Sequence, residues 1–322
     1  MGASGAVNAV RIDSAFDDPA AVLACIRRAG PFWPLANYAK NDAEMATLST
    51  EAKTFTPPWF RQDFVRGGEA LVDGATTILD NPRFRDAAQR IAGPESIVVP
   101  HAVYVNVMGP TPFAFPPHLD VPAFRGITRL QYPIWLLKVM MSSGLFEPWR
   151  IRIATAVSWF YDGPGGDFRY WPEGAEAPSV IVQSPFWNVA VVADNERTFH
   201  GVAPVGPPDA TLPEGIASDC RLVRGDERWE IIDGDATGIG SITDAEARVT
   251  ISWKADLYDN DDDHARAIAG VDALTLDAVT DRFCEDLAER HVPFRRPIEP
   301  LGDPEWTAVL ASTYPEVAPA MP

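Results

Sequence analysis

The chain has 322 residues, is 46% hydrophobic, and holds ten tryptophans, 27 basic and 45 acidic residues, for a formal net charge of −18. That length suits one large domain or two and supplies ample material for a core, and the charge argues against nucleic acid or an anionic membrane surface as a partner. Cys25, Cys220 and Cys284 have neither metal-ligand nor redox spacing and read as reduced structural thiols of a cytoplasmic protein.

In chain order, Met1-Gly2-Ala3-Ser4-Gly5 lacks the basic-then-apolar pattern of a secretory leader. Asp17-Asp18-Pro19 predicts a helix carrying Val22, Leu23 and Ile26, with Arg27-Arg28 at its end and a stop at Gly30. Thr56-Pro57-Pro58-Trp59-Phe60 reads as a turn-rich stretch with exposed aromatics. Asp80-Asn81-Pro82 opens a second helix through Phe84, Ala88 and Ile91, closing at Gly93. The first hundred residues thus read as helix and loop. Strand signals then dominate over 96–108, 150–161, 179–193, 228–233 and 248–258, rich in Val, Ile and aromatics. Successive β segments without regular intervening helices point to a sandwich or jelly roll rather than a parallel α/β sheet.

Within this region the apolar run 130–146 is interrupted by Gln131, Pro133 and Lys138, too short and broken for a membrane span. It reads as a buried helix, a lid or the cover of a homodimer interface. Residues 259–263 read as a solvated acidic turn, followed by a helix with Leu276, Val279, Phe283 and Leu287 on one face. From Arg295 onward the prolines suggest a tail wrapped over the surface. The expected division is an N-terminal flank 1–95, a β core 96–258 and a C-terminal flank 259–322, all in one structural domain.

His118-Leu119-Asp120 is the first chemical signal. On a strand, residues two apart share a face, so His118 and Asp120 would aim an imidazole and a carboxylate at one point. Chance alone yields roughly 0.7 such pairs at this composition, so the pair needs company, and Pro116-Pro117 and Pro122 allow a surface turn instead. A second histidine would complete two histidines and one carboxylate on one face of an octahedron, leaving three open positions. His200, in Phe199-His200-Gly201-Val202 after a strand and a polar turn, is favoured; His101 is the rival, and His264 and His291 read as solvated.

Read with Gly165-Gly166-Asp167 and Arg248-Val249-Thr250, these motifs resemble the Fe(II)/2-oxoglutarate-dependent dioxygenases over residues 98–256. That superfamily's pattern is H-x-D, a Gly-Gly-acid loop, a distal histidine, and an arginine with a nearby hydroxyl residue. The resemblance implies a mainly β chain with flanking helices around a double-stranded β-helix (jelly-roll, cupin-like) core. It implies Fe(II) on His118, Asp120 and His200, with 2-oxoglutarate as cosubstrate and dioxygen as co-reactant. Arg248 would anchor the distal carboxylate through a two-pronged contact that lysine cannot copy, with Thr250 adding a hydroxyl. Arg221 and Arg224 lie nearer to His200 and stay open as alternatives for the anchor. Tyr104 and Asn106 share a strand face and are candidates for binding the cosubstrate or for packing. The implied reaction is oxidation of a C–H bond, with hydroxylation as the default; Asp120 occupies the position a halogenase would leave for halide. Phe113, Phe115 and Phe124 flank the motif and suggest a small-molecule substrate with an apolar part. A cupin-type metal enzyme that needs no 2-oxoglutarate, and a jelly-roll binding module without metal, are the alternatives.

Overall fold

The structure, a computed structural model, describes residues 8–35 and 57–319. In chain order the strands are β1 (Ala9–Ile12), β2 (Trp33–Pro34), β3 (Trp59–Arg66), β4 (Glu69–Ala70), β5 (Ile97–Met108), β6 (Phe115–His118), β7 (Ala123–Phe124) and β8 (Arg150–Tyr161). There follow β9 (Phe168–Trp171), β10 (Val180–Val182), β11 (Phe186–Ala193), β12 (Phe199–Val202), β13 (Arg221–Arg224), β14 (Arg228–Ile232), β15 (Gly238–Thr243) and β16 (Arg248–Tyr258). The helices are α1 (Pro19–Arg28), α2 (Thr76–Leu79), α3 (Pro82–Ala92), α4 (Ile134–Ser143), α5 (Asp261–Ala269), α6 (Leu276–Glu289) and α7 (Pro304–Thr313).

The protein is mainly β, and its named strands pair antiparallel throughout. A large sheet runs β1-β11-β8-β16-β5-β3-β2, with β4 on β3 and β7 on β8; a second runs β10-β9-β12-β6; a third, β13-β14-β15, is a meander. Alternation along β16 explains how the large sheet serves two purposes. Val249, Ile251, Trp253, Ala255 and Leu257 join a core that includes Phe84 and Ala88 of α3 and Trp229 of the meander. Arg248, Thr250, Ser252 and Lys254 take the opposite face, as the two-residue period requires. On that face the large sheet meets the second sheet through Trp159, whose ring lies 4.8 Å from Phe168 and 5.4 Å from Phe186.

Helices α1 and α3 start where the sequence places them. Asp18 accepts from Ala21 N and Asn81 from Arg83 N, each ahead of a proline whose missing N–H costs nothing in the first turn. The apolar run 130–146 forms α4, with Leu136, Leu137, Val139 and Met140 buried against α6 and α7 in a second core around Phe146, Phe283 and Trp306. No helix among the described residues is long and apolar enough to cross a membrane.

Several expectations are corrected. Pro57 and Pro58 suggest a turn, and Thr56 lies outside the described residues, but Trp59 begins β3 and Phe60 is fully buried. Proline is tolerated just before a strand, so it marks the start rather than the absence of one. With β1, β2 and β4, this brings strands of the N-terminal flank into the large sheet, beyond helix and loop. The segment 179–193 is two strands, with Pro185, which has no ladder N–H, between them. Asp261–Asp263 form the first turn of α5, where acids oppose the positive helix end and Asn260 accepts from Asp263 N at 2.9 Å. Last, the proline-spaced tail holds α7, capped by Asp303 with Pro304 in its first turn and with Trp306 and Leu310 buried.

Candidate metal centre

β6 and β12 are neighbours in the second sheet, and their register sets His118 directly opposite His200 with ring centroids 4.3 Å apart. β6 ends at His118. Asp120 therefore lies past the strand rather than on it, which corrects the two-residue strand argument. Its N–H still donates to Asn195 O at 2.9 Å, which pins the loop beside β12. Ligand atoms of His118, Asp120 and His200 lie within 4.8 Å of one another, with His200 Nε2 3.7 Å from Asp120 Oδ1.

The hydrogen bonds fix which imidazole nitrogen is available. His118 Nδ1 sits 2.9 Å from Pro116 O and His200 Nδ1 sits 3.0 Å from Thr198 O. A carbonyl only accepts, so both Nδ1 atoms carry the proton and both Nε2 lone pairs are left for a ligand. Burial lowers the pKa of both rings, that of His200 to about 4 with His118 adding to the effect. Burial alone would raise Asp120, but the Lys254 ammonium together with His200 and His118 outweighs it and holds the carboxyl well below its usual range. Two neutral imidazoles and one ionised carboxylate are the protonation state a divalent transition metal needs, so the donor set fits such an ion.

A cavity of about 180 Å³ runs from this group to Arg248 and is lined also by Tyr104, Asn106, Phe115 and Thr250. Arg248 is 1% exposed; its Nε donates to Gly166 O at 2.8 Å and its Nη1 to Thr250 Oγ1 at 2.7 Å. Its Nη2 is buried with no hydrogen-bond partner among the described residues, and so is Asn106 Oδ1. Burial draws the guanidinium pKa down to about 9, still above neutrality. Buried unpaired donors are rare, and a charged one at the end of a cavity suits the carboxylate of a small ligand. The Gly165-Gly166 turn closes this end: Gly166 has φ +71°, and a Cβ there would sit 2.9 Å from Arg248 Cδ.

The rivals lie elsewhere. His101 Nε2 is 3.2 Å from Asp256 Oδ1, the His264 ring lies 4.7 Å from that of Tyr258, and His291 follows α6 with φ +57°. Arg221 and Arg224 lie on β13, where Arg224 pairs with Asp244 at 3.2 Å. Of the flanking phenylalanines, Phe115 enters the cavity, Phe113 is 50% exposed and Phe124 packs on Phe146 in the second core.

Sequence reasoning missed Trp59 and Arg61, which line the cavity from β3, Arg61 lying 3.6 Å over the Tyr104 ring. It also missed Lys254, 2.8 Å from Asp120 Oδ2, and Glu196, buried 3.5 Å from Lys254. The available signal was parity, because Lys254 falls on the same face of β16 as Arg248 and Thr250.

No protein-family model matches the chain, and no curated protein matches it. Solved structures do. An oxidoreductase of the 2OG-Fe(II) oxygenase family from Burkholderia pseudomallei is 10% identical over 77% of this chain and 84% of that one, with a TM-score of 0.39. A prolyl hydroxylase from Trichoplax adhaerens is 10% identical over 81% and 86%, with a TM-score of 0.42. A prolyl-4-hydroxylase from Pseudomonas putida is 13% identical over 77% and 92%, with a TM-score of 0.39. These likenesses are remote, and the functional reading rests on the residues of the site.

Proposed function

We propose that the chain is a non-haem Fe(II)/2-oxoglutarate-dependent oxygenase on a double-stranded β-helix core, hydroxylating a C–H bond of a small molecule. One observation carries the reading. A two-histidine, one-carboxylate group and a buried arginine with an unpartnered Nη2 share a single cavity. His118 Nε2, His200 Nε2 and an Asp120 oxygen would hold Fe(II), which with 2-oxoglutarate and dioxygen supplies the oxidising chemistry, coupled to succinate and carbon dioxide release.

The chain's own residues bind and orient. Arg248 and Thr250 receive the distal carboxylate of the cosubstrate, with Tyr104 and Asn106 on the neighbouring strand as polar contacts. Trp59, Phe115, Val157 and Trp159 give the cavity apolar walls that exclude water. The buried guanidinium favours this reading over a metal enzyme of the same shape that needs no anionic cosubstrate. Cys25, Cys220 and Cys284 form no disulfide, which suits a reducing compartment and a cytoplasmic enzyme.

Anaerobic titration of the purified protein with Fe(II), then with 2-oxoglutarate, tests this. A visible charge-transfer band that requires both components is expected. Bound iron with no band on adding 2-oxoglutarate would remove the cosubstrate from the reading.

A further inference from the structure

The two oxygens of Asp120 have different surroundings. Oδ1 faces His200 Nε2 at 3.7 Å, whereas Oδ2 accepts from Lys254 Nζ at 2.8 Å. Lys254 is only 15% exposed, donates also to Thr155 Oγ1 at 2.9 Å, and lies 3.5 Å from Glu196 Oε1. Glu196 is fully buried, and neither of its carboxyl oxygens has a hydrogen-bond partner among the described residues. Lysines are rarely buried unless paired, because desolvation of the ammonium is expensive. Here one is committed to a single oxygen of a metal-ligand carboxylate and tied at two further points.

We propose that Lys254, braced by Thr155 and Glu196, is a positioning residue that keeps Asp120 a one-oxygen ligand. The inference rests on the metal and cosubstrate reading above and extends it. Two imidazoles and one carboxylate oxygen leave three of six positions on an octahedral ion. A cosubstrate that chelated through two atoms would need two of these and leave one free. If Asp120 turned to offer both oxygens, one of those positions would be lost. The ammonium competes for Oδ2 and fixes the carboxylate's rotation, which is how partners behind a ligand tune a metal site. The prediction is therefore selective: losing Lys254 weakens cosubstrate chelation more than metal binding.

The test uses Lys254→Met, which keeps the unbranched shape but for its last atom and removes the donors, and Lys254→Arg, which keeps a donor. Fe(II) affinity is measured by anaerobic dialysis, and 2-oxoglutarate affinity from the charge-transfer band. For Lys254→Met we expect a 2-oxoglutarate midpoint raised about tenfold or more, with a clearly smaller loss of iron affinity. Lys254→Arg should recover part of that loss. An unchanged midpoint, or equal loss of iron and cosubstrate, would overturn the inference and leave Lys254 a structural ion-pair member. Co(II)-loaded protein gives a reading independent of 2-oxoglutarate, since its visible bands report coordination number; identical bands in parent and Lys254→Met would also overturn it. The parent separates the two hypotheses: iron without a band in the parent removes the cosubstrate reading, whereas a parent band unaltered in the variant removes only the role of Lys254. If Lys254→Met leaves Glu196 too poorly paired to fold, the uncharged Lys254→Met, Glu196→Gln pair is measured in the same way.

Discussion

Arg248 is preorganised by what surrounds it. Gly166 O and Thr250 Oγ1 hold two of its nitrogens, so Nη2 points to one place and little side-chain entropy remains to be lost when an anion arrives. Arg248→Ala should therefore raise the 2-oxoglutarate midpoint while leaving iron affinity nearly unchanged. Removing a charge-assisted hydrogen bond from a desolvated pocket costs about 2–5 kcal/mol, which is roughly 30-fold or more in affinity. Arg248→Lys should restore only a part, because an ammonium lacks the planar fork that bonds Gly166 O and Thr250 Oγ1 while presenting a further nitrogen to the anion. Gly166→Ala should raise the same midpoint without touching either ligand, since its Cβ meets Arg248 Cδ at 2.9 Å and its φ of +71° disfavours any side chain. An unaltered midpoint in Arg248→Ala would move the anchor elsewhere. At this scale the residues with chemical character were legible: His118, Asp120, His200, Arg248 and Thr250 all reach one cavity. Lys254 and Glu196 were not, because residue type says both belong in solvent and only the fold brings them together at Asp120.

Among the elements, the strands buried on both faces were the most legible. β8 and β16 fall on 150–161 and 248–258, because β-branched and aromatic residues recur along both. Proline was legible in one direction only: with Asp18 and Asn81 it marked the starts of α1 and α3, whereas β3 and α7 were missed because the same residue that breaks one element begins another. The second core shows what such an element contributes. Tyr314, just past α7, donates its hydroxyl to Asp286 of α6, which Arg290 also contacts, and its ring packs 5.5 Å from Phe283. Burial works to raise the Asp286 carboxyl, but the hydrogen bonds from Arg290 and Tyr314 outweigh it and hold the group below its usual range. A carboxyl whose folded pKa is depressed stabilises fully above its unfolded value of about 3.9, and that stabilisation is lost as pH falls through the folded value. Asp286→Asn should thus lower stability by about 1 kcal/mol at pH 7, a modest figure because solvent screens part of the interaction. The difference should vanish at acid pH. Urea unfolding at pH 7 and again at a pH well below the unfolded value checks this; an equal deficit at both pH values would mean that the effect is packing rather than charge.

For the whole molecule, the acidic surface makes specific metal binding something to be separated from general screening. With a net charge of −18, any dication will relieve self-repulsion and raise the melting temperature somewhat. A bound ion at the site acts differently, because it binds the folded state through three residues that meet only on folding, from β6, the loop after it and β12. At a free concentration a hundred times the dissociation constant this stabilises by about 2.7 kcal/mol, which for a chain of this length is about 4 °C. We therefore expect Fe(II) or Co(II), at fixed ionic strength, to raise the melting temperature by about that amount beyond Mg(II), since paired imidazoles favour the later transition metals over hard oxygen-seeking ions. His200→Ala and His118→Ala should each lose the excess and keep the Mg(II) response, because the acidic surface is untouched. His101→Ala should keep both, as its ring lies beside Asp256, with Nε2 3.2 Å from Oδ1, outside the group. An excess that survived in His200→Ala but disappeared in His101→Ala would place the ion beside Asp256 instead, and the register that sets His118 opposite His200 would then have no metal to explain it.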